Sequence, residues 1–375
     1  MAGIYIHIPF CKQACHYCNF HFSTSLKLKN DFLQALLKEI IIRKDYLRQE
    51  PIQTIYFGGG TPSLLLEEEL SAILKTLKEQ YIISPGAEIT LEANPDDISA
   101  GKAGEWRRQG INRLSIGVQS FFEEDLKWMN RAHSASQAID CIRMVQHEGL
   151  VNLSIDLIYG TPTLPDKNWI ENLDLAVSLG IPHLSCYALT VEPGTALDSM
   201  TRKKKVVAVS NDDQARQFLI MTDLLQARGY DHYEISNLAL PGKRSAHNSA
   251  YWKGVPYAGF GPSAHSFHGS SRQWNVANNA LYIQSLNGNE IPFEIETLSA
   301  DQRFNEYIMV SLRTMEGTDI TRAGVLFGES FSAALVKNAA PFIQKEWLYV
   351  NKDKLILTRE GKLFADGIAA DLFAG

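Results

Sequence analysis

Six short apolar runs alternate with six amphipathic stretches over the first 235 residues, and that rhythm leaves the chain few folds to choose from. The strand candidates are Gly3–Ile8, Thr54–Phe57, Glu88–Glu92, Arg113–Val118, Asn152–Ile158 and His183–Leu189. Between and after them the apolar period lengthens to that of a helix, over Asn30–Tyr46, Glu67–Gln80, Ile98–Gln109, Ser134–Glu148, Asn168–Leu179 and Asp212–Arg228. Consecutive β-α units predict an α/β fold with a parallel sheet and right-handed crossovers. An open doubly wound sheet and a partial barrel both satisfy the pattern.

The rhythm changes after about residue 236. Leu240–Arg244 reads as a loop, followed by Gly- and aromatic-rich sequence through Trp274. Ala300–Met315 reads as a helix. Two more are expected over Thr318–Phe327 and Ser332–Glu346, with Thr318 and Ser332 as N-caps. A hairpin over Leu348–Leu357, turning at Asn351-Lys352-Asp353, and a last helix over Leu363–Phe373 complete a smaller α+β, winged-helix-like part. The expected division is therefore 1–235 and 236–375.

A net charge of −6 in 375 residues gives no reason to expect nucleic acid, winged-helix-like tail notwithstanding. Arg202-Lys203-Lys204-Lys205 is a basic run that reads as a solvated loop. No run reaches transmembrane length and no signal peptide precedes the first strand, so a cytoplasmic protein with at most transient membrane contact is expected.

The five cysteines are unevenly spread: Cys11, Cys15 and Cys18 lie within eight residues, directly after the first apolar run, while Cys141 and Cys186 sit in core-like segments. The cluster argues against a disulfide framework and for a reducing compartment. Thiolates are soft ligands suited to zinc or iron–sulfur centres. Structural zinc asks for four ligands, whereas three thiolates can hold three irons of a 4Fe-4S cluster and leave the fourth open to a ligand. A zinc knob completed by His16 or His21, or three unrelated buried thiols, is the alternative.

Tyr5-Ile6-His7-Ile8-Pro9-Phe10-Cys11 followed by this triplet resembles the radical S-adenosylmethionine (SAM) superfamily, in the branch of the oxygen-independent coproporphyrinogen III oxidases and haem chaperones (HemN/HemW). The resemblance selects a partial (β/α)6 radical SAM barrel. It implies a 4Fe-4S cluster on Cys11, Cys15 and Cys18 whose open iron takes SAM. Gly58-Gly59-Gly60-Thr61-Pro62 matches the family's GGGTP motif, so Gly59, Gly60 and Thr61 are implied SAM contacts. So are Glu92, Gln119, Arg131 and Asp156, which match the family's SAM-contacting positions in order near the strand ends where barrels place their chemistry; by the same resemblance Tyr5, Ala188 and, from within the cysteine loop, Tyr17 also line the SAM site. By the same resemblance a reduced cluster passes one electron to the SAM sulfonium and the carbon–sulfur bond breaks. Whether this chain cleaves SAM or only binds it is open from sequence, and no catalytic side chain is assigned.

Two departures separate the chain from the oxidases of that branch. Phe20 stands where they carry an additional cysteine, and the first strand starts at residue 3, without their N-terminal extension. His247-Asn248-Ser249-Ala250-Tyr251-Trp252 matches an HNxxYW motif that the chaperones use in haem binding. An imidazole ligates haem iron and the two aromatics offer flat apolar surface, so His247 is the expected haem-binding residue. His265 is a second candidate that reads as a structural histidine in a Gly/Pro turn. The resemblance implies a haem chaperone delivering haem to respiratory enzymes at the membrane, with a homodimer allowed for. The alternatives are coproporphyrinogen III decarboxylation to vinyl groups, or radical SAM chemistry on another substrate.

Overall fold

Residue parity in the first six strands sorts aliphatic from polar side chains, and the fold follows from it. The computed structural model describes residues 1–374. In chain order the elements are β1 (Ala2–Ile8), α1 (Lys29–Ile42), β2 (Ile52–Gly59), α2 (Glu67–Gln80), β3 (Ile83–Ala93), α3 (Ala100–Gln109), β4 (Arg113–Gln119), α4 (Glu123–Trp128), α5 (Ala135–His147), β5 (Leu153–Tyr159), α6 (Asp166–Ser178), β6 (His183–Ala188), α7 (Ala196–Arg202) and α8 (Asn211–Ala227). Then come β7 (Asp231–Glu234), β8 (Asn237–Ala239), α9 (Ala246–Trp252), β9 (Tyr257–Phe260), β10 (His265–Phe267), β11 (Ser271–Asn275), α10 (Asn279–Asn287), β12 (Phe293–Thr297), α11 (Ala300–Leu312), β13 (Thr318–Asp319), α12 (Ile320–Phe327), α13 (Glu329–Gln344), β14 (Leu348–Asn351), β15 (Lys354–Leu357) and α14 (Ala365–Asp371).

Strands β1 to β6 lie side by side in sequence order, all parallel. One face carries Ile4, Ile6, Ile8, Ile55, Phe57, Ile89 and Leu91, which share a core with Phe32, Leu36 and Ile40 of α1 and Leu70 and Leu77 of α2. The register sets Tyr5 beside Tyr56, Glu92 beside Ser115, and Asp156 beside Ser185 on the opposite face. That inner face is polar, with Thr54, Thr90, Arg113, Ser154 and His183 all buried. The helices have ordinary local causes. Ser134 and Gln137 form a capping box at the start of α5, and α3 runs from a Ser99 cap to Gly110, which ends it at φ 104°.

The barrel does not close. β1 pairs with β9 on one side and β6 with β8 on the other, giving a twelve-stranded sheet in the order β12-β11-β10-β9-β1-β2-β3-β4-β5-β6-β8-β7. Residues 237–297 therefore extend the first sheet, and the division expected at residue 235 meets a sheet that runs on through it. A buried ion pair between Glu39 of α1 and its C-cap Arg43 anchors this extension: Arg43 Nη1 donates to Glu39 (3.0 Å) and to the Gly259 carbonyl (2.6 Å). Glu39 also accepts from the Gly261 amide, Asn275 Nδ2 and the Tyr282 hydroxyl, at 2.8, 2.7 and 2.6 Å.

A second core begins at Phe304 and gathers Ile308, Leu312, Leu335, Leu355 and Ile368 around the three-stranded sheet β13-β15-β14. The two expected caps fall elsewhere. Asp319, not Thr318, caps α12 by accepting from the Arg322 amide, while Thr318 pairs in β13. Helix α13 starts three residues before Ser332, after Gly328. Ile235 packs against both cores, and Arg313 of the C-terminal part donates to Glu234 at 3.0 Å.

Candidate functional site

At the C-terminal ends of β1–β6 the chain builds a mouth from turns that glycine alone permits. A Cβ on Gly60 would lie 2.7–2.9 Å from backbone atoms of Ile8 and Phe10, because the Gly60 amide donates to the Ile8 carbonyl at 2.8 Å. Gly59 takes φ 103°, and a Cβ there would strike the His7 ring. These turns let β2 pass close beneath the cysteine loop.

The loop carrying Cys11, Cys15 and Cys18 is tied down at several points. The Cys11 amide donates to the Ser23 carbonyl (3.0 Å), the His16 amide to Met129 (3.1 Å) and the Leu197 amide to the His16 carbonyl (2.8 Å). Asn130 Nδ2 donates to the Ala14 carbonyl at 2.7 Å, and Lys12 pairs with Asp96 (3.0 Å) and Asp97. Arg131 reaches across from the same turn as Asn130. Its Nη1 lies 3.2 Å from Cys15 Sγ, and its Nη2 donates to Asn94 Oδ1 (2.7 Å) and the Gly117 carbonyl (2.8 Å).

The three thiols are unpaired, half-buried and near enough to affect one another. Burial pushes the Cys11 thiol up to about 11; a hydrogen bond with Thr61 works the other way, and Cys18 and Cys15 add to the rise. Burial also raises Cys18. Thiols this reluctant to ionise become ligands when a metal drives the proton off. The imidazoles weighed as zinc ligands are engaged elsewhere: His16 Nδ1 with the Trp128 carbonyl at 2.8 Å, His21 Nε2 with Asn279 Oδ1 at 2.7 Å. Among the described residues no three His, Cys, Asp or Glu side chains converge on a single metal ion, and three soft donors set apart from one another suit a cluster with one open corner rather than one zinc.

Tyr5, Tyr56, Glu92 and Asp156 lie on the inner face of β1, β2, β3 and β5, mostly covered but less so than their strand neighbours. Burial raises Glu92 to about 8, although the Tyr56 hydroxyl donates to it at 2.7 Å; the nearby Asp156 adds to the rise. Burial likewise raises Asp156 to about 6, against hydrogen bonds from Ser185 and Ser115. Neither carboxylate has an ion-pair partner among the described residues, and Arg131 Nε and Thr90 Oγ1 are buried without partners. Unpaired acids beside unsatisfied donors suit a zwitterionic cation bearing hydroxyls. Gln119 ends β4 at φ 65° while only 8% exposed, a strained backbone held by its surroundings. Tyr17 packs beside Leu126, Met129 and Ile158 under the loop, and Ala188 is exposed at the end of β6. Glu92, Gln119 and Ala188 thus stand at or next to the C-terminal ends of β3, β4 and β6, with Gly59 and Gly60 at that of β2.

His247 stands apart from these. Helix α9 stoppers the opposite, N-terminal end of the barrel, where Glu88 of β3 accepts from the amides of Ala246 and His247 at 3.1 and 3.0 Å. The imidazole is 2% exposed. Its Nδ1 meets Thr54 Oγ1 at 2.7 Å and its Nε2 meets the Tyr251 hydroxyl at 2.8 Å. Both ring nitrogens are occupied, so the expected role as a haem ligand does not fit this geometry. Sequence reading missed Tyr56, which joins His247 to Glu92. Its parity with Thr54, on the polar side of an Ile-Phe-flanked strand, was the available signal.

The sequence pattern of the radical SAM superfamily matches residues 5–176, and that of the HemN C-terminal domain matches residues 298–364. A protein named heme chaperone HemW from Mycobacterium tuberculosis is 34% identical over 99% of this chain and 94% of its own length. One of the same name from Bacillus subtilis is 31% identical over 98% of both. The fold is shared with the solved structure of coproporphyrinogen III oxidase (HemN) from Escherichia coli, with TM-score 0.85 and 23% identity, covering 100% of this chain and 90% of that one.

Proposed function

The chain belongs to the radical SAM superfamily and, within it, to the family of the heme chaperones HemW, and on that premise we propose that it binds a 4Fe-4S cluster, SAM and haem, and hands haem to respiratory haem proteins. The observation that carries the reading is the meeting of three unpaired thiols with two unpaired, burial-raised carboxylates at one barrel mouth. Cys11, Cys15 and Cys18 hold the cluster. Gly59, Gly60 and Thr61 present backbone and hydroxyl to the methionyl end of SAM. Glu92, Gln119, Arg131 and Asp156, with Tyr5, Tyr17 and Ala188, receive the rest. A reduced cluster held by these three thiolates would supply one-electron reducing chemistry at the SAM sulfonium.

The protein's own part is positional. Arg131 holds the Cys15 side of the loop to the ends of β3 and β4, and Tyr56 fixes the Glu92 carboxylate by its hydroxyl. Ionised Glu92 and Asp156 balance the positive charge of the ligand, whose arrival draws their protons off. We assign residues 1–297 to the barrel unit and 298–375 to the C-terminal domain, following the sheet and the two cores.

Anaerobic reconstitution with iron and sulfide, followed by haemin titration and a coproporphyrinogen turnover assay on the same sample, tests the reading. Cluster and haemin binding without vinyl product support it; vinyl product establishes the oxidase instead.

A further inference from the structure

Between the sheet extension and the C-terminal domain lies a cleft of about 1260 Å³ that the barrel mouth does not use. It is larger than the several hundred to about 1,000 Å³ usual for small ligands. One wall is aromatic, from Tyr251, Trp252, Tyr257 and Phe267; the other comes from α11 and α12, with Tyr307 and Phe327. Its charge opposes that of the chain. Six cationic side chains line it against three carboxylates, in a protein of net charge −6. Lys253, Arg303, Arg322 and Lys354 among them have no acidic partner within the described residues. The buried indole N–H of Trp252 also lacks an acceptor.

One imidazole opens into this cleft. His265, first residue of β10, is exposed, lies against Trp274 with ring centroids 6.2 Å apart, and has no side-chain hydrogen bond among the described residues. Burial, and then the Arg272 guanidinium, hold its pKa below the ordinary value, so the ring is neutral with a lone pair to give. A flat apolar cavity rimmed by free cations, with one unengaged nitrogen donor on its wall, matches a planar macrocycle that carries carboxylates at its edge and a metal at its centre.

We propose that this cleft seats an iron porphyrin, with His265 as the protein's axial ligand to the iron and Arg303 and Arg322 facing the propionates. The proposal rests on the haem-binding reading above and specifies where that binding occurs. It gives α9 two separate duties: His247 closes the barrel, while Tyr251 and Trp252 belong to the aromatic wall of the cleft.

The cluster-loaded full chain is titrated with haemin and, separately, with metal-free protoporphyrin IX. In His265→Ala, haemin affinity falls by about tenfold or more and the Soret band moves, free imidazole restores the band, and protoporphyrin binding is unchanged. In Arg303→Ala/Arg322→Ala both porphyrins weaken together. Retention of the cluster absorbance shows that each variant is folded. Haemin bound by His265→Ala with wild-type affinity and spectrum overturns the assignment and leaves the haem reading standing. A wild-type protein that binds neither porphyrin overturns the haem reading itself, and the cleft assignment with it.

Discussion

The ring of His247 lies against that of Tyr56, centroids 4.9 Å apart and planes 21° from parallel. Tyr56 then donates to Glu92, so a stopper at one end of the barrel is joined through one tyrosine to a carboxylate at the other.

Replacing His247 by alanine removes a fully packed ring and strands Thr54 and Tyr251. The expected loss is about 2–4 kcal/mol of stability, read as a lower melting temperature in thermal denaturation. Haemin titration of the same variant keeps the wild-type spectrum. Loss of that spectrum with an unchanged melting temperature would restore His247 as the iron ligand.

Glu92 gives the ligand-free protein a definite pH dependence. Its folded pKa of about 8 stands above the ordinary 4.5, so the folded state binds the extra proton and stability falls as pH rises between those values. Below the lower value the contribution is fully present; above the upper one it is gone. Asp156, at about 6 against 3.8, acts in the same direction over a narrower window. Thermal melts from pH 5 to 8 are expected to fall more steeply for the wild type than for Glu92→Gln. Parallel slopes would remove the buried carboxylate as the cause. SAM affinity is expected to rise with pH over the same window, because the cation meets a carboxylate already ionised.

Much of this was legible in the chain, and the reason is periodicity. The six β-α units lie within a few residues of their expected places because strand and helix periods differ sharply, and the glycine run lies where strand β2 ends. The short helices α4, α7 and α9 were not foreseen. Six or seven residues hold too few turns to show a period, and α9 carries the motif whose meaning changed most. The extension β9–β12 was missed because its strands are short, antiparallel to one another beyond the parallel β1–β9 junction, and fixed by one distant carboxylate rather than by local pattern. His265 reads as a turn residue in sequence, since only the packing of the C-terminal domain makes a cleft in front of it.

That distant carboxylate is itself testable. Glu39→Ala leaves Arg43 buried without its partner and releases Asn275, Tyr282 and the Gly261 amide. A cost of about 3–5 kcal/mol is expected, seen as a lower denaturant midpoint. Amide exchange should speed up first in β9–β11. Exchange rising evenly over the whole chain would show that the extension is held by something else.

Cys15→Ser is expected to abolish the brown chromophore and lower bound iron after reconstitution, measured by absorbance and iron assay. Cys141→Ser, at a fully buried core position, keeps both. Equal iron in the two variants would remove the cluster from the mouth.

Ile235 touches both hydrophobic centres, and the ion pair between Glu234 and Arg313 crosses at the same seam. The same two bodies are tied again away from that seam: Arg359 donates to Asp223 of α8, and Arg272 of β11 pairs with Glu306 of α11 across the cleft itself. The width offered to a flat guest is thus set by charge pairs between two separately packed cores, and not by a continuous sheet.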